Sequence, residues 1–139
     1  MEQTICESVR YSARCPDCGA KLECCGVQAL VDGRLRWDVE SACSDCGFTA
    51  AACGADLPTE RREQMLAERG PATLQVLSPP ASSVVIMRVL RAELGLDLVN
   101  AKAVLHRVLS GDHSGTLPEM ELLVRKLRAS GIDAATTRS

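Results

Sequence analysis

Apolar and polar positions follow a strand-like pattern early in the chain and a helical one late in it. The segment "KLECCGVQALV" (21–31), then "DGR" (32–34), then "LRWDVESA" (35–42) reads as two strands joined by an Asp-Gly turn, a dipeptide that readily takes the left-handed backbone of a tight hairpin. Further on, "TERREQMLAER" (59–69) is a short helical segment stopped by Gly70 and Pro71. From Ala72 the order is strand, helix, helix, loop, helix, strand, written in "ATLQVL", "SSVVIMRVLRAEL", "GLDLVNAKAVLHRVL", "SGDHSG", "TLPEMELLVRKLRAS" and "GIDAATTR". Ser82 is expected to cap the first of these helices, Thr116 with Glu119 to form a capping box on the third, and Gly131 to end it. At about 100° per residue, Val85, Ile86, Val89 and Leu90 share one face, which must pack on the sheet. The opposite face gathers Val84, Met87, Arg88 and Arg91, and apolar residues among arginines there suggest a surface for a partner.

Composition changes the picture in two ways. Only 2% of the 139 residues are aromatic while 46% are hydrophobic, so any core is built from Leu, Val, Ile and Ala, which favours helices on a small sheet. No apolar run approaches the roughly 20 residues of a membrane span. The start "MEQTICESVR" lacks the basic and apolar stretches of a secretory signal, and the protein is expected in the cytoplasm, away from membranes. In that reducing compartment cysteines more often hold metal or do redox chemistry than form structural disulfides. All eight cysteines (6, 15, 18, 24, 25, 43, 46 and 53) precede residue 54. That imbalance predicts a cysteine-rich module at 1–56, a helical linker at 57–71 and a second module at 72–139.

Within the first module, "CPDCG" (15–19) and "CSDCG" (43–47) repeat one Cys-x-x-Cys-Gly pattern. Two cysteines at that spacing point both sulfurs at one ion, and the glycine permits a turn whose backbone N–H groups face the thiolates. Cys15, Cys18, Cys43 and Cys46 are therefore the expected zinc ligands of a zinc ribbon, with a 24-residue hairpin between the two turns. Four thiolates leave no open position for water, so such a site is structural and not catalytic. The roles of Cys6, Cys24, Cys25 and Cys53 stay open between apolar packing and a second metal site or thiol switch. A strand places Cys24 and Cys25 on opposite faces, which weakens the second-site alternative.

Charge bears on partners. Residues 1–70 carry eight Lys or Arg against twelve Asp or Glu, a net of −4, and zinc with four thiolates adds −2. Such a module repels phosphate backbones, and only Trp37, Phe48 and Tyr11 are available to stack on bases, which argues against nucleic acid as a partner of the ribbon. Residues 71–139 carry eight basic and six acidic side chains, a net of +2. A mildly cationic module beside an acidic one fits an interaction protein.

The helix junction "GLDLVNAKAVL" (95–105) gives residues 72–138 a resemblance to a known family, the C-terminal domain of the bacterial ribosomal stalk protein. Its signature is Gly-Leu-x-Leu-x-x-Ala-Lys, in which the glycine allows the sharp turn, the two leucines fill the core between helices and the alanine permits close approach. The resemblance implies a patch that contacts translational GTPases, carried residue by residue onto Val84, Met87, Arg88, Arg91 and Lys102. It also marks departures. Ser83 stands where the family has lysine, the second strand of the family's sheet is replaced by "SGDHSG", and the ribbon stands in place of the N-terminal dimerisation helices.

The fold class expected from these readings is α+β: β hairpins around a four-cysteine site, followed by a small α/β sandwich of three helices on a small antiparallel sheet. His106 and His113 lie outside the cysteine module with no recognisable acid or nucleophile partner, and there is no nucleotide loop or carboxylate pair, so no enzymatic activity is expected. The function expected is that of a zinc-binding protein whose stalk-like domain docks on a translational GTPase, the ribosome or another protein. A Clp-type protease adaptor, which shares this small fold, and a zinc-thiol redox sensor are the alternatives.

Overall fold

The computed structural model describes residues 4–77 and 83–138. These divide into two units at Arg69/Gly70, and the cysteines and the helix-rich segment fall on opposite sides of that boundary.

In the first unit, β1 (Ile5–Arg14), β2 (Lys21–Val31), β3 (Arg34–Ala42) and β4 (Thr49–Ala55) form a four-stranded antiparallel meander in sequence order. The expected hairpin is β2–β3. Its turn places Asp32 at φ 50° and Gly33 at φ 76°, the two left-handed residues that a two-residue hairpin of this twist requires. The outer strands carry weaker signals. In "ICESVRYSAR" the apolar Val9, Tyr11 and Ala13 alternate with Arg10, Ser12 and Arg14, a strand period that extends the sheet beyond the expected hairpin, whereas "TAAACGA" is alanine-rich and carries no such alternation.

One face of this sheet is packed. Val9, Trp37 and Met65 are buried together, and Met65 comes from α1 (Thr59–Arg69). The segment expected as a helical linker forms a helix docked on this sheet, because burying Met65 against Val9 and Trp37 removes apolar surface from water. Side chains of α1 also reach the edge strand β1. Gln64 Nε2 donates to the Arg10 carbonyl at 2.7 Å, Arg69 Nη2 to the Ser8 carbonyl at 3.2 Å, and the Arg61 guanidinium stacks 4.3 Å from the Tyr11 ring centre. Trp37 lies across β2 at Gly26, where an added Cβ would stand 2.1 Å from the indole. Only glycine leaves that space.

The second unit pairs β5 (Ala72–Val76) with β6 (Ser114–Gly115) on one side and β7 (Ala134–Arg138) on the other, both antiparallel. Three helices complete it: α2 (Ser83–Leu94), α3 (Leu98–Ser110) and α4 (Leu117–Ala129). The α+β class is as expected, and the described residues form one four-stranded sheet, one three-stranded sheet and four helices. Ile86 and Leu90 are fully buried among Leu74, Val108, Leu123 and Leu127, with Val85 and Val89 packed at the margin, as the helical phase of α2 requires. The segment "SGDHSG" is not a plain loop. Ser114 and Gly115 pair with Thr73 and Ala72 because the His113 carbonyl accepts from the Leu74 N–H at 2.9 Å, which locks the chain to β5.

Helix ends are set by the expected chemistry where they are described. The Thr116 hydroxyl accepts from the Glu119 N–H at 3.3 Å and the Glu119 carboxylate accepts from the Thr116 N–H at 3.0 Å, completing the capping box. Past the end of α4, Gly131 sits at φ 84°. Asp97, unmarked by sequence reasoning, caps α3 by accepting from the Asn100 N–H at 2.8 Å. The cap expected from Ser82 lies outside the described residues. No helix among the described residues is long and apolar enough to cross a membrane.

Gly26→Ala is expected to destabilise the first unit by about 1–3 kcal/mol, the usual cost of overpacking. Denaturant unfolding followed by emission of the single tryptophan, Trp37, measures it. An unchanged midpoint would show that the indole moves aside without cost.

Candidate metal centre

In an antiparallel meander the first and third turns fall at the same end of the sheet. Those turns, between β1 and β2 and between β3 and β4, are the two Cys-x-x-Cys-Gly segments. They fold alike. The Cys15 N–H donates to the Ala20 carbonyl at 2.8 Å and the Gly19 N–H to the Cys15 carbonyl at 2.9 Å; the Cys43–Phe48 and Gly47–Cys43 bonds repeat both distances. Gly19 at φ 74° and Gly47 at φ 79° supply the left-handed residue that closes each turn.

This end-to-end arrangement gathers Cys15, Cys18, Cys43 and Cys46, with all four Sγ atoms within 4.8 Å of one another. Cys15 and Cys46 approach to 3.6 Å, as do Cys18 and Cys43. Sulfurs around a tetrahedral ion with metal–sulfur bonds of about 2.3 Å lie about 3.8 Å apart, so the observed spacing fits such an ion. None of the eight cysteines is in a disulfide. The first cysteine of each turn is buried, Cys15 at 2% and Cys43 at 3% exposure, whereas Cys18 and Cys46 face solvent.

Backbone dipoles prepare the cluster for negative charge. Cys15 is lowered to about 7, first by the backbone N–H of Cys18 and further by that of Asp17, against desolvation. Cys46 also accepts from a backbone N–H, that of Phe48, but local desolvation and the thiols of Cys15, Cys18 and Cys43 around it push it up to about 12. Cys18 is raised as well: the Ala20 N–H lowers it, and the Cys43 thiol and desolvation outweigh that. Four ionised sulfurs within 4.8 Å would place like charges side by side. A cation among them removes that obstacle, and all four can then serve as thiolate ligands.

The other four cysteines stay apart from this cluster chemically. Cys24 is buried against Cys15, Leu22 and Cys43, where its thiol donates to the Leu22 carbonyl at 3.8 Å and accepts from the Ser41 hydroxyl at 3.6 Å. Cys25 is half-buried on the opposite face of β2, in register between Arg10 and Glu40, and Cys6 and Cys53 are exposed. Among the described residues, the four sulfurs form the one group of three or more metal-ligating side chains.

The surface expected for a partner is an open groove on the second unit. Val84, Met87, Arg88, Arg91, Leu96 and Leu98 line it. Val84 is 61% and Leu98 48% exposed, while Met87 is half-buried. The two leucines of the helix junction were expected to fill the core together. Leu96 does pack against it, but Leu98 turns outward, because Gly95 at φ 63° and the Asp97 cap start α3 with Leu98 on its solvent side. Ala101 is fully buried, as close approach of helices requires. Lys102 is exposed one turn beyond Leu98 and is not part of the groove's lining. No protein-family model, curated protein or solved structure matches the chain.

Cys15→Ser and Cys46→Ser are each expected to abolish bound metal and to unfold the first unit, because a module this small with few aromatics does not hold itself together by burial alone. Cys24→Ala should keep full metal content and cost about 1–3 kcal/mol. Elemental analysis with circular dichroism reads both. Full metal retention in either serine variant would reject the ligand set.

Proposed function

We propose that this chain is a non-enzymatic, zinc-stabilised interaction protein whose second unit docks an acidic helix of a translational GTPase in the α2–α3 groove. The observation that carries the reading is the lining of that groove: exposed apolar side chains, Val84 and Leu98, set among the guanidinium groups of Arg88 and Arg91. Arginines steer an acidic partner and the apolar pair supplies burial, a combination that matches an amphipathic helix with acidic flanks. The residues named by resemblance to the stalk family support the same choice of partner, since Val84, Met87, Arg88 and Arg91 all line the groove.

Zinc is the ion this donor set suits best. Four soft thiolates in a tetrahedron favour zinc over ions that prefer oxygen, and they close its coordination sphere. When bound, zinc supplies a cross-link between the two turns. The protein's own contribution is the pair of N–H-lined turns that hold the sulfurs at tetrahedral spacing.

Binding of a purified bacterial translational GTPase to the immobilised full chain tests the docking. Reversing Arg88 and Arg91 together to Glu is expected to slow association about tenfold at low salt and to flatten its salt dependence. Val84→Asp should leave association nearly intact and speed dissociation about tenfold, by removing an anchor. Neither change touches the core, so circular dichroism should not move. Wild-type kinetics in both variants would make the groove a solvated helix face.

A further inference from the structure

We propose that Cys18 and Cys46 are oxidation sites, and that each forms a disulfide with the buried cysteine of the opposite turn, Cys43 and Cys15 respectively. The ribbon would then exchange its metal for two covalent staples. This rests on the zinc-thiolate reading above and adds to it a chemistry for the same four sulfurs.

The basis is an asymmetry within the cluster. Each turn contributes one buried sulfur, Cys15 or Cys43, and one exposed sulfur, Cys18 or Cys46. The two 3.6 Å approaches join Cys46 to Cys15 and Cys18 to Cys43. Each approach therefore couples an exposed sulfur to a buried one, and each crosses from one turn to the other. An oxidant arriving from solvent meets Cys18 or Cys46 first, and the sulfur already beside it belongs to the opposite turn. Cys24, the buried thiol packed beside the four sulfurs, is engaged with the Leu22 carbonyl and the Ser41 hydroxyl.

The chemistry is that of a peroxide acting on thiolates. Hydrogen peroxide transfers one oxygen to the Cys46 thiolate, its O–O bond breaks, and the other oxygen leaves as hydroxide, which protonates to water. The Cys15 thiolate then attacks the Cys46 sulfur, the new S–S bond forms, and the sulfenic oxygen departs as a second water after protonation. One peroxide, two thiolates and two protons thus give one disulfide and two waters. Cys18 and Cys43 repeat the sequence with a second peroxide. Disulfide sulfur lacks the thiolate charge, so each bond withdraws two ligands from the ion.

Topology decides what remains. Both disulfides tie the β1–β2 turn to the β3–β4 turn, the same two turns that the metal joins. Bonds within each Cys-x-x-Cys would leave the turns unjoined. Crossed bonds keep the end of the sheet closed after the metal has gone, and reduction by a dithiol restores the thiols.

The test uses the wild-type chain, with its zinc content measured first. Hydrogen peroxide is added stepwise, and released zinc is read with a chromogenic chelator. The product is thiol-blocked, digested with trypsin and, in a second portion, also with a protease that cuts before Asp17 and Asp45, before mapping by mass spectrometry. That second cut separates Cys15 from Cys18 and Cys43 from Cys46, and 15–43 and 18–46 bonds overturn the pairing. Cleavage after Arg14, Lys21, Arg36 and Arg61 puts Cys15 and Cys18 in peptide 15–21, and Cys43, Cys46 and Cys53 in peptide 37–61. The expected result is peptides 15–21 and 37–61 joined through 15–46 and 18–43 bonds, with all zinc released by two peroxides and Trp37 emission retained. Separate peptides each short of two hydrogens, or links to peptide 22–34 with Cys24 and Cys25, overturn the pairing. Zinc release without disulfides overturns it as well. A chain without zinc at the outset removes the metal reading, while the same digest still accepts or rejects the pairing.

Discussion

Four sulfurs within 4.8 Å of one another repel as soon as they ionise, and a divalent cation held among them would convert that repulsion into a bond between two turns. Much of the first unit follows from this constraint. The meander exists in a register that brings its first and third turns to one end, and each turn is closed by a left-handed glycine and two backbone N–H bonds to carbonyls that hold its cysteines in place. The rest of the sheet offers little competing cohesion. Every residue of β4 is exposed, and the packed face rests on a small cluster around Trp37 and Met65. Cohesion at the cysteine end therefore depends on the thiols, and cohesion at the other end depends on α1.

The second unit solves the same problem by different means. Its helices bury Ile86, Leu90, Val108, Leu123 and Leu127 against Leu74 with no help from cysteine or aromatic residues. Aliphatic burial of this kind is spread over many side chains, and a single truncation leaves the others in place. One chain thus holds a unit that ought to respond sharply to its chemical surroundings and a unit governed by ordinary packing. A protein so built can lose order in one half while the other continues to present its groove.

Local chemistry was legible in the sequence, and long-range burial was not. The two Cys-x-x-Cys-Gly turns, the Asp-Gly hairpin and the Thr116–Glu119 box are each decided by a few neighbouring residues, and each stands where the pattern puts it. Helical phase likewise separated Ile86 and Leu90 from Val84 and Arg88. By contrast, the docking of α1 depends on Met65 meeting Val9 and Trp37, residues brought together only by the sheet. The two-residue β6 depends on pairing with Ala72 and Thr73 beside the bond from Leu74 to His113, and the outward turn of Leu98 on the backbone at Gly95. None of these leaves a periodic trace. Lys102, grouped with the arginines by resemblance, is exposed on α3 one turn beyond Leu98 and is not among the residues that line the groove.

The hydrogen bonds from Gln64 and Arg69 to the Arg10 and Ser8 carbonyls also bear on how copies of the molecule meet at high concentration. They occupy outward-facing backbone groups on β1, so a foreign strand finds its acceptors there already taken. The opposite border, β4, is exposed along its length. A sheet with one occupied border and one free border can add a neighbour on a single side. Strand addition would therefore be confined to β4, and there the register shift opposite Trp37 and Val39 and the left-handed Gly54 at φ 75° bend the edge away from a regular template.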